Sequence, residues 1–138
     1  MAANSVFWDT NVLLDFIDRR PFELDSTDAI YELAVNGQIQ IASSEHVVCT
    51  VLYLSDILSP DLAIAEFLRI SSVLPTSNAI IQSALSSPFK DKEDVILYHL
   101  ALHHRMKAFI TRDKKDFTPY ASALLPVFSP KEFMKSWK

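Results

Sequence analysis

Glycine is almost missing from this chain of 138 residues; Gly37 is the only one. Loops that cradle phosphate need several glycines, because only a residue without a Cβ lets the backbone close on a pyrophosphate. Their absence excludes the dinucleotide fingerprint and the P-loop together. Cysteine is just as scarce. With Cys49 alone, no intrachain disulfide can form, and a reducing, cytoplasmic setting is expected. Cys49 also lacks the neighbours that a zinc site shows. No apolar run approaches the ~20 residues that span a bilayer, so no membrane association is expected. The start, Met1-Ala2-Ala3-Asn4-Ser5, has neither the basic region nor the apolar stretch of a leader. Positive charge is not in excess either. The net charge of −4 speaks against a general nucleic-acid coating role, though not against a local basic patch.

What is present is apolar material and clustered acid. The chain is 49% apolar and 22% charged, which fits one globular domain, residues 1–138, with a real core. Short apolar runs alternate with helical patterns. Strands are expected at Ser5 to Trp8, Gln38 to Ala42, Val73-Leu74-Pro75, Ala108 to Thr111 and Pro126-Val127-Phe128. Helices are expected from Val12 to Asp18, from Ser26 or Thr27 to Asn36-Gly37, and from Glu45 to Leu58. Others follow over Asp61 to Ile70, Ala79 to Leu85, Asp91 to Met106 and Pro130 to Trp137. Lys114 to Ala123 reads as a loop with one helical turn. This alternation predicts an α/β fold, a three-layer α/β/α sandwich around a mainly parallel sheet of about five strands.

Three polar knots stand out. Asp9-Thr10-Asn11 follows the first strand, Asp91-Lys92-Glu93-Asp94 opens an apolar helix, and Thr111-Arg112-Asp113-Lys114-Lys115-Asp116 follows the fourth strand. Each has an ordinary explanation. Asp9 can cap a helix, acids favour the positive end of a helix dipole, and Asp113 and Asp116 can pair with neighbouring cations. Yet open α/β sheets bind ligands beyond the carboxyl ends of their strands, where two of the knots fall. Carboxylates that meet there repel one another unless a cation sits between them. Hard oxygen donors select Mg²⁺ or Mn²⁺ over zinc, and such ions serve phosphoryl displacement. Adjacent His103 and His104 face different directions on a helix and are expected at the surface. Ser43-Ser44 has no matching triad and reads as a cap. Arg19, Arg20, Arg112, Lys114 and Lys115 offer cations for phosphate positioning or simply a solvated face.

The strings Phe7-Trp8-Asp9-Thr10-Asn11-Val12-Leu13-Leu14-Asp15, Arg19-Arg20-Pro21-Phe22, Asp91-Lys92-Glu93-Asp94-Val95 and Ile110-Thr111-Arg112-Asp113-Lys114-Lys115-Asp116-Phe117 resemble a PIN domain of the VapC-like toxin kind over nearly the whole chain. The resemblance implies a Mg²⁺- or Mn²⁺-dependent ribonuclease, frequent homodimers and often a cognate antitoxin. It assigns Asp9, Asp94 and Asp113 to the metal and makes Asp116 a further catalytic acid. Thr10, Asn11, Thr111 and Arg112 become groups that orient ligands or substrate. One departure is plain. The family usually carries a glutamate on the helix after the second strand, and here Thr50 or Cys49 stands in its place, with Glu45 a turn or more too early.

The competing reading is a degenerate PIN domain that binds RNA or a protein without cleaving. A haloacid-dehalogenase-like phosphatase also opens with a strand and an aspartate, but that chemistry wants a second aspartate where Asn11 stands. The apolar tail, Phe133, Met134 and Trp137, is expected to close the core rather than contact another subunit.

Overall fold

The computed structural model describes residues 4–137, so Met1-Ala2-Ala3, on which the expectation about a leader partly falls, lie outside the described residues. Five strands form one sheet: β1 Ser5–Trp8, β2 Gln40–Ser43, β3 Ser71–Val73, β4 Ala108–Ile110 and β5 Val127–Phe128. Their order is β3-β2-β1-β4-β5 and every pairing is parallel. Parallel strands need crossovers, and helices supply them: α1 Thr10–Asp18, α2 Leu24–Val35, α3 Glu45–Leu54, α4 Pro60–Leu68, α5 Asn78–Leu85, α6 Lys92–His103 and α7 Lys114–Phe117, with α8 Pro130–Ser136 following the last strand. The expected three-layer arrangement is met. Among the described residues no helix is long and apolar enough to cross a membrane.

β1 lies at the centre and is buried on both faces, as a strand covered by helices on each side must be. Phe7 stacks on Phe109 of β4, with ring centroids 5.4 Å apart, and Trp8 stacks on Phe67 of α4 at the same distance. The chain runs from β1 outward through β2 and β3, then returns to the other side of β1 as β4. The reversal falls between β1 and β4, where Trp8 stands opposite Ile110. Such a switch point opens a crevice at the carboxyl edge, because the two crossovers leave in opposite directions.

Several element ends differ from the sequence expectation, each for a local reason. The second helix begins at Leu24 rather than Ser26 or Thr27, because Glu23 adopts a left-handed conformation and its carbonyl takes the Ser26 and Thr27 N–H groups. α3 stops at Leu54, four residues early. The buried Asp18 carboxylate captures the Ser55 hydroxyl at 2.5 Å and the Asp56 N–H at 3.0 Å and pulls the chain off the helix. β3 lies two residues before its expected place, and α6 ends at His103, beyond which Arg105 turns with φ of 59°. Asn36-Gly37 does end α2, Gly37 having a φ of 76°. Phe133 is buried against the core and stacks on Trp137, as expected of a closing tail.

Candidate metal centre

Asp9 leaves the end of β1 and caps α1. Its Oδ1 accepts the N–H of Thr10, the first residue of the helix, at 2.8 Å, one residue nearer than the usual cap bond. The other oxygen, Oδ2, accepts the hydroxyl of Thr111, the residue after β4, also at 2.8 Å. Both strand ends therefore converge on one carboxylate. Asn11 ties the same two loops together. Its amide donates to Asp113 Oδ2 at 3.1 Å and to Thr111 Oγ1 at 3.3 Å, while its carbonyl accepts the Arg112 N–H at 3.1 Å. The Asp113 N–H closes the loop onto Thr111 Oγ1 at 3.1 Å.

Asp94 comes from the first turn of α6. Asp91 caps that helix by accepting the Asp94 N–H at 3.0 Å. Asp9, Asp94 and Asp113 then line one cleft of about 220 Å³, together with Glu93 from the same turn of α6. Thr10 and Asn11 line it too. Among the described residues its lining holds four carboxylates and no lysine or arginine.

The electrostatic consequence is visible. Burial pushes Asp9 up to about 6, against the pull of its hydrogen bonds from Thr111 and Thr10, and Asp113 and Asp91 push further in the same direction. Asp94 is half-buried and is raised to about 7, first by desolvation and then by the charges of Asp9, Asp91, Asp116 and Asp113. The four carboxylates are hard oxygen donors, which suit a divalent cation such as Mg²⁺ or Mn²⁺. Among the described residues, no three His, Cys, Asp or Glu side chains stand close enough to form a ready-made cage. A cation that keeps several waters and takes only one or two direct carboxylates still fits such a spread-out set.

The remaining predicted residues fall behind the cleft. Thr111 is fully buried and reaches the site through Asp9. Asp116 does not line the cleft, although its charge is felt at Asp94. The Arg112 guanidinium turns away. It pairs through Nε and Nη2 with Asp15, an α1 carboxylate only 1% exposed, and its centre lies 4.4 Å from the Phe22 ring. Desolvation raises the pKa of Asp15, and the Arg112 bond and charge oppose the rise. Arg112 thereby braces α1 with its side chain and touches the site through its backbone. His103 is exposed, as expected, whereas His104 is partly covered, with Nε2 2.8 Å from the Pro75 carbonyl.

On the α3 side of the cleft the sequence pointed to Thr50 or Cys49, and it gave no sign of His46 and Leu54. His46, Thr50 and Leu54 lie at i, i+4 and i+8, share one face of α3 and line the cleft. That spacing was readable, but none of the three advertises an acidic site. Cys49 and Glu45 line instead an apolar groove of about 640 Å³ next door. Of the three positions weighed for the family's glutamate, Thr50 is the one that faces the acids. Glu93 looks in sequence like one more dipole-favoured acid, and only packing places it in the cleft wall.

The geometry defines a class: a parallel α/β/α domain with a carboxylate cleft at the switch point of its sheet. Residues 5–115 match the PIN domain family, and the chain belongs to that family. It is 28% identical to "Ribonuclease VapC1" of Aquifex aeolicus (strain VF5) in an alignment of 146 positions, covering 99% of this chain and 98% of that protein. Its fold is similar to a chain in the crystal structure of VapBC2 from Rickettsia felis bound to a DNA fragment from their promoter. There the TM-score is 0.68 at 17% identity, over 91% of this chain and 98% of that one.

Proposed function

We propose that this chain is a divalent-metal-dependent endoribonuclease of the PIN type and the toxin of a toxin–antitoxin pair. The observation that carries the chemistry is the cleft with Asp9, Glu93, Asp94 and Asp113 in its wall and no lysine or arginine there. Carboxylates so placed need a cation, and ribonucleases of this family are in general divalent-metal dependent. Asp9, Asp94 and Asp113 would hold Mg²⁺ or Mn²⁺. A bound ion of this kind supplies Lewis-acid polarisation of a phosphodiester and makes nearby water more acidic.

The residues of the chain do the rest. Thr10 and Thr111 hold the two oxygens of Asp9 in fixed directions. Asn11 fixes Asp113 against the end of β1. Asp116 adds negative charge behind Asp94 and so strengthens the demand for a cation. RNA as substrate rests on the full-length likeness to a ribonuclease. An antitoxin partner rests on the likeness to the VapC and VapBC proteins. Tyr53 of α3, with Leu58 and Leu62 of the following segment, is highly exposed and offers apolar surface to such a partner or to a second copy. A cytoplasmic setting agrees with the single cysteine.

One observation favours a second reading, a domain that binds RNA without cutting it: Thr50 occupies the place of an expected acid. Cleavage of a labelled RNA pool decides between them. The nuclease reading expects cleavage with Mn²⁺, none with chelator and none from Asp9→Asn. Equal retention of RNA by wild type and variant, without cleavage under any metal, would establish the second.

A further inference from the structure

We propose that Glu93 supplies to the cation the carboxylate that α3 lacks at Thr50, an acid on α6 taking the place of an acid on α3. The inference rests on the metal-dependent reading above and concerns which residues of this chain complete the site. Thr50 faces the cleft, but its hydroxyl carries no charge, so among the cleft-lining residues α3 supplies no carboxylate, only the His46 imidazole. Glu93 lines the same cleft. Glu93 and His46 also line the neighbouring apolar groove, so both stand where the first turn of α6 approaches α3. The longer reach of glutamate suits a carboxylate delivered from the next helix.

Glu93 is also uncommitted. It is exposed, and among the described residues it makes no side-chain hydrogen bond or ion pair. The other acids near α3 do not meet these conditions. Glu45 lines only the groove. Asp91 spends an oxygen on the cap of α6. Charge conservation gives the proposal its logic: four carboxylates remain in the cleft wall although the α3 position is neutral.

The test is Mn²⁺ titration by calorimetry on the full chain, with thermal melts to confirm that each variant folds. Glu93→Gln is expected to weaken Mn²⁺ binding roughly tenfold. Glu45→Gln, which removes the same charge from the groove alone, is expected to change it less than twofold. Thr50→Glu placed on the Glu93→Gln background is expected to restore wild-type affinity. Wild-type binding by Glu93→Gln, alongside loss in Asp94→Asn, overturns this inference and leaves the nuclease reading standing. A loss that Thr50→Glu fails to restore overturns the exchange of positions. Absence of Mn²⁺ binding by the wild type overturns both the inference and the reading beneath it.

Discussion

The two walls of the cleft are built differently. The wall made by β1 and β4 is a closed hydrogen-bond network in which Asp9, Thr111, Asn11 and Asp113 each hold another in place. Across from it, the wall made by α3 and α6 has carboxylates and few bonds. Asp94 is held through its backbone by Asp91, and Glu93 and Thr50 engage nothing comparable. The first wall is preorganised before any ligand arrives. The second is left with unneutralised charge. A divalent cation would therefore meet one rigid half-site and one adjustable half-site, in keeping with acids that share a cleft without forming a cage among the described residues.

The sharpest way to break this comparison is to strike the rigid wall at its centre. Asp9→Asn is expected to lower RNA cleavage on the order of a thousandfold, about 4 kcal/mol of transition-state stabilisation, measured as initial rates with Mn²⁺. Residual activity within tenfold of wild type contradicts the assignment. Arg112→Ala strikes the support behind that wall and leaves the Asp15 carboxylate buried without its partner. A loss of about 3 kcal/mol in urea unfolding is expected, since breaking one side of a buried pair strands a charge. Asn11→Ala unties the strap but leaves every carboxylate. It is expected to reduce Mn²⁺ affinity roughly tenfold, as removal of supporting bonds does, with a smaller effect on folding.

The smallest effect concerns the adjustable wall and has the opposite sign. Asp9 and Asp94 bind protons more tightly in the folded chain than in the unfolded one. Their contribution to stability is whole below about pH 4 and is lost as pH rises through about 6 and about 7. Metal-free Asp94→Asn should therefore be more stable than wild type at pH 7.5. A gain of about 1–2 °C in melting temperature is expected, allowing for the solvent that reaches a half-buried carboxylate. At pH 4 the two should melt together. A variant less stable at both pH values would show that Asp94 is a structural group instead.

The sequence was most readable where one local string carries both geometry and chemistry. An apolar strand, an acid and a helix in succession place Asp9 and Asp113 at the sheet's carboxyl edge without knowledge of any long-range contact. Asp94 was readable because an acidic first turn opens an apolar helix. Where meaning depends on what packs against what, the string was silent. The Arg112–Asp15 pair joins positions 97 apart, and the sequence offered Arg112 the neighbouring acids, solvent or phosphate as partners, not Asp15. Asp18 ended α3 early through bonds to Ser55 and Asp56, which no helix propensity records. His46 and Leu54 joined the cleft, and Thr50 was separated from Cys49, only through the packing of α3.

The claim beneath all of this is that the cleft holds more negative charge than it can keep without a cation. It is tested most directly by carboxylate NMR titration of Asp94, with and without Mg²⁺. The account predicts titration near pH 7 in the metal-free protein, as its burial and acid neighbours require. Saturating Mg²⁺ should move that titration well into the acid range. Titration at an ordinary carboxylate value, unmoved by Mg²⁺, would contradict it.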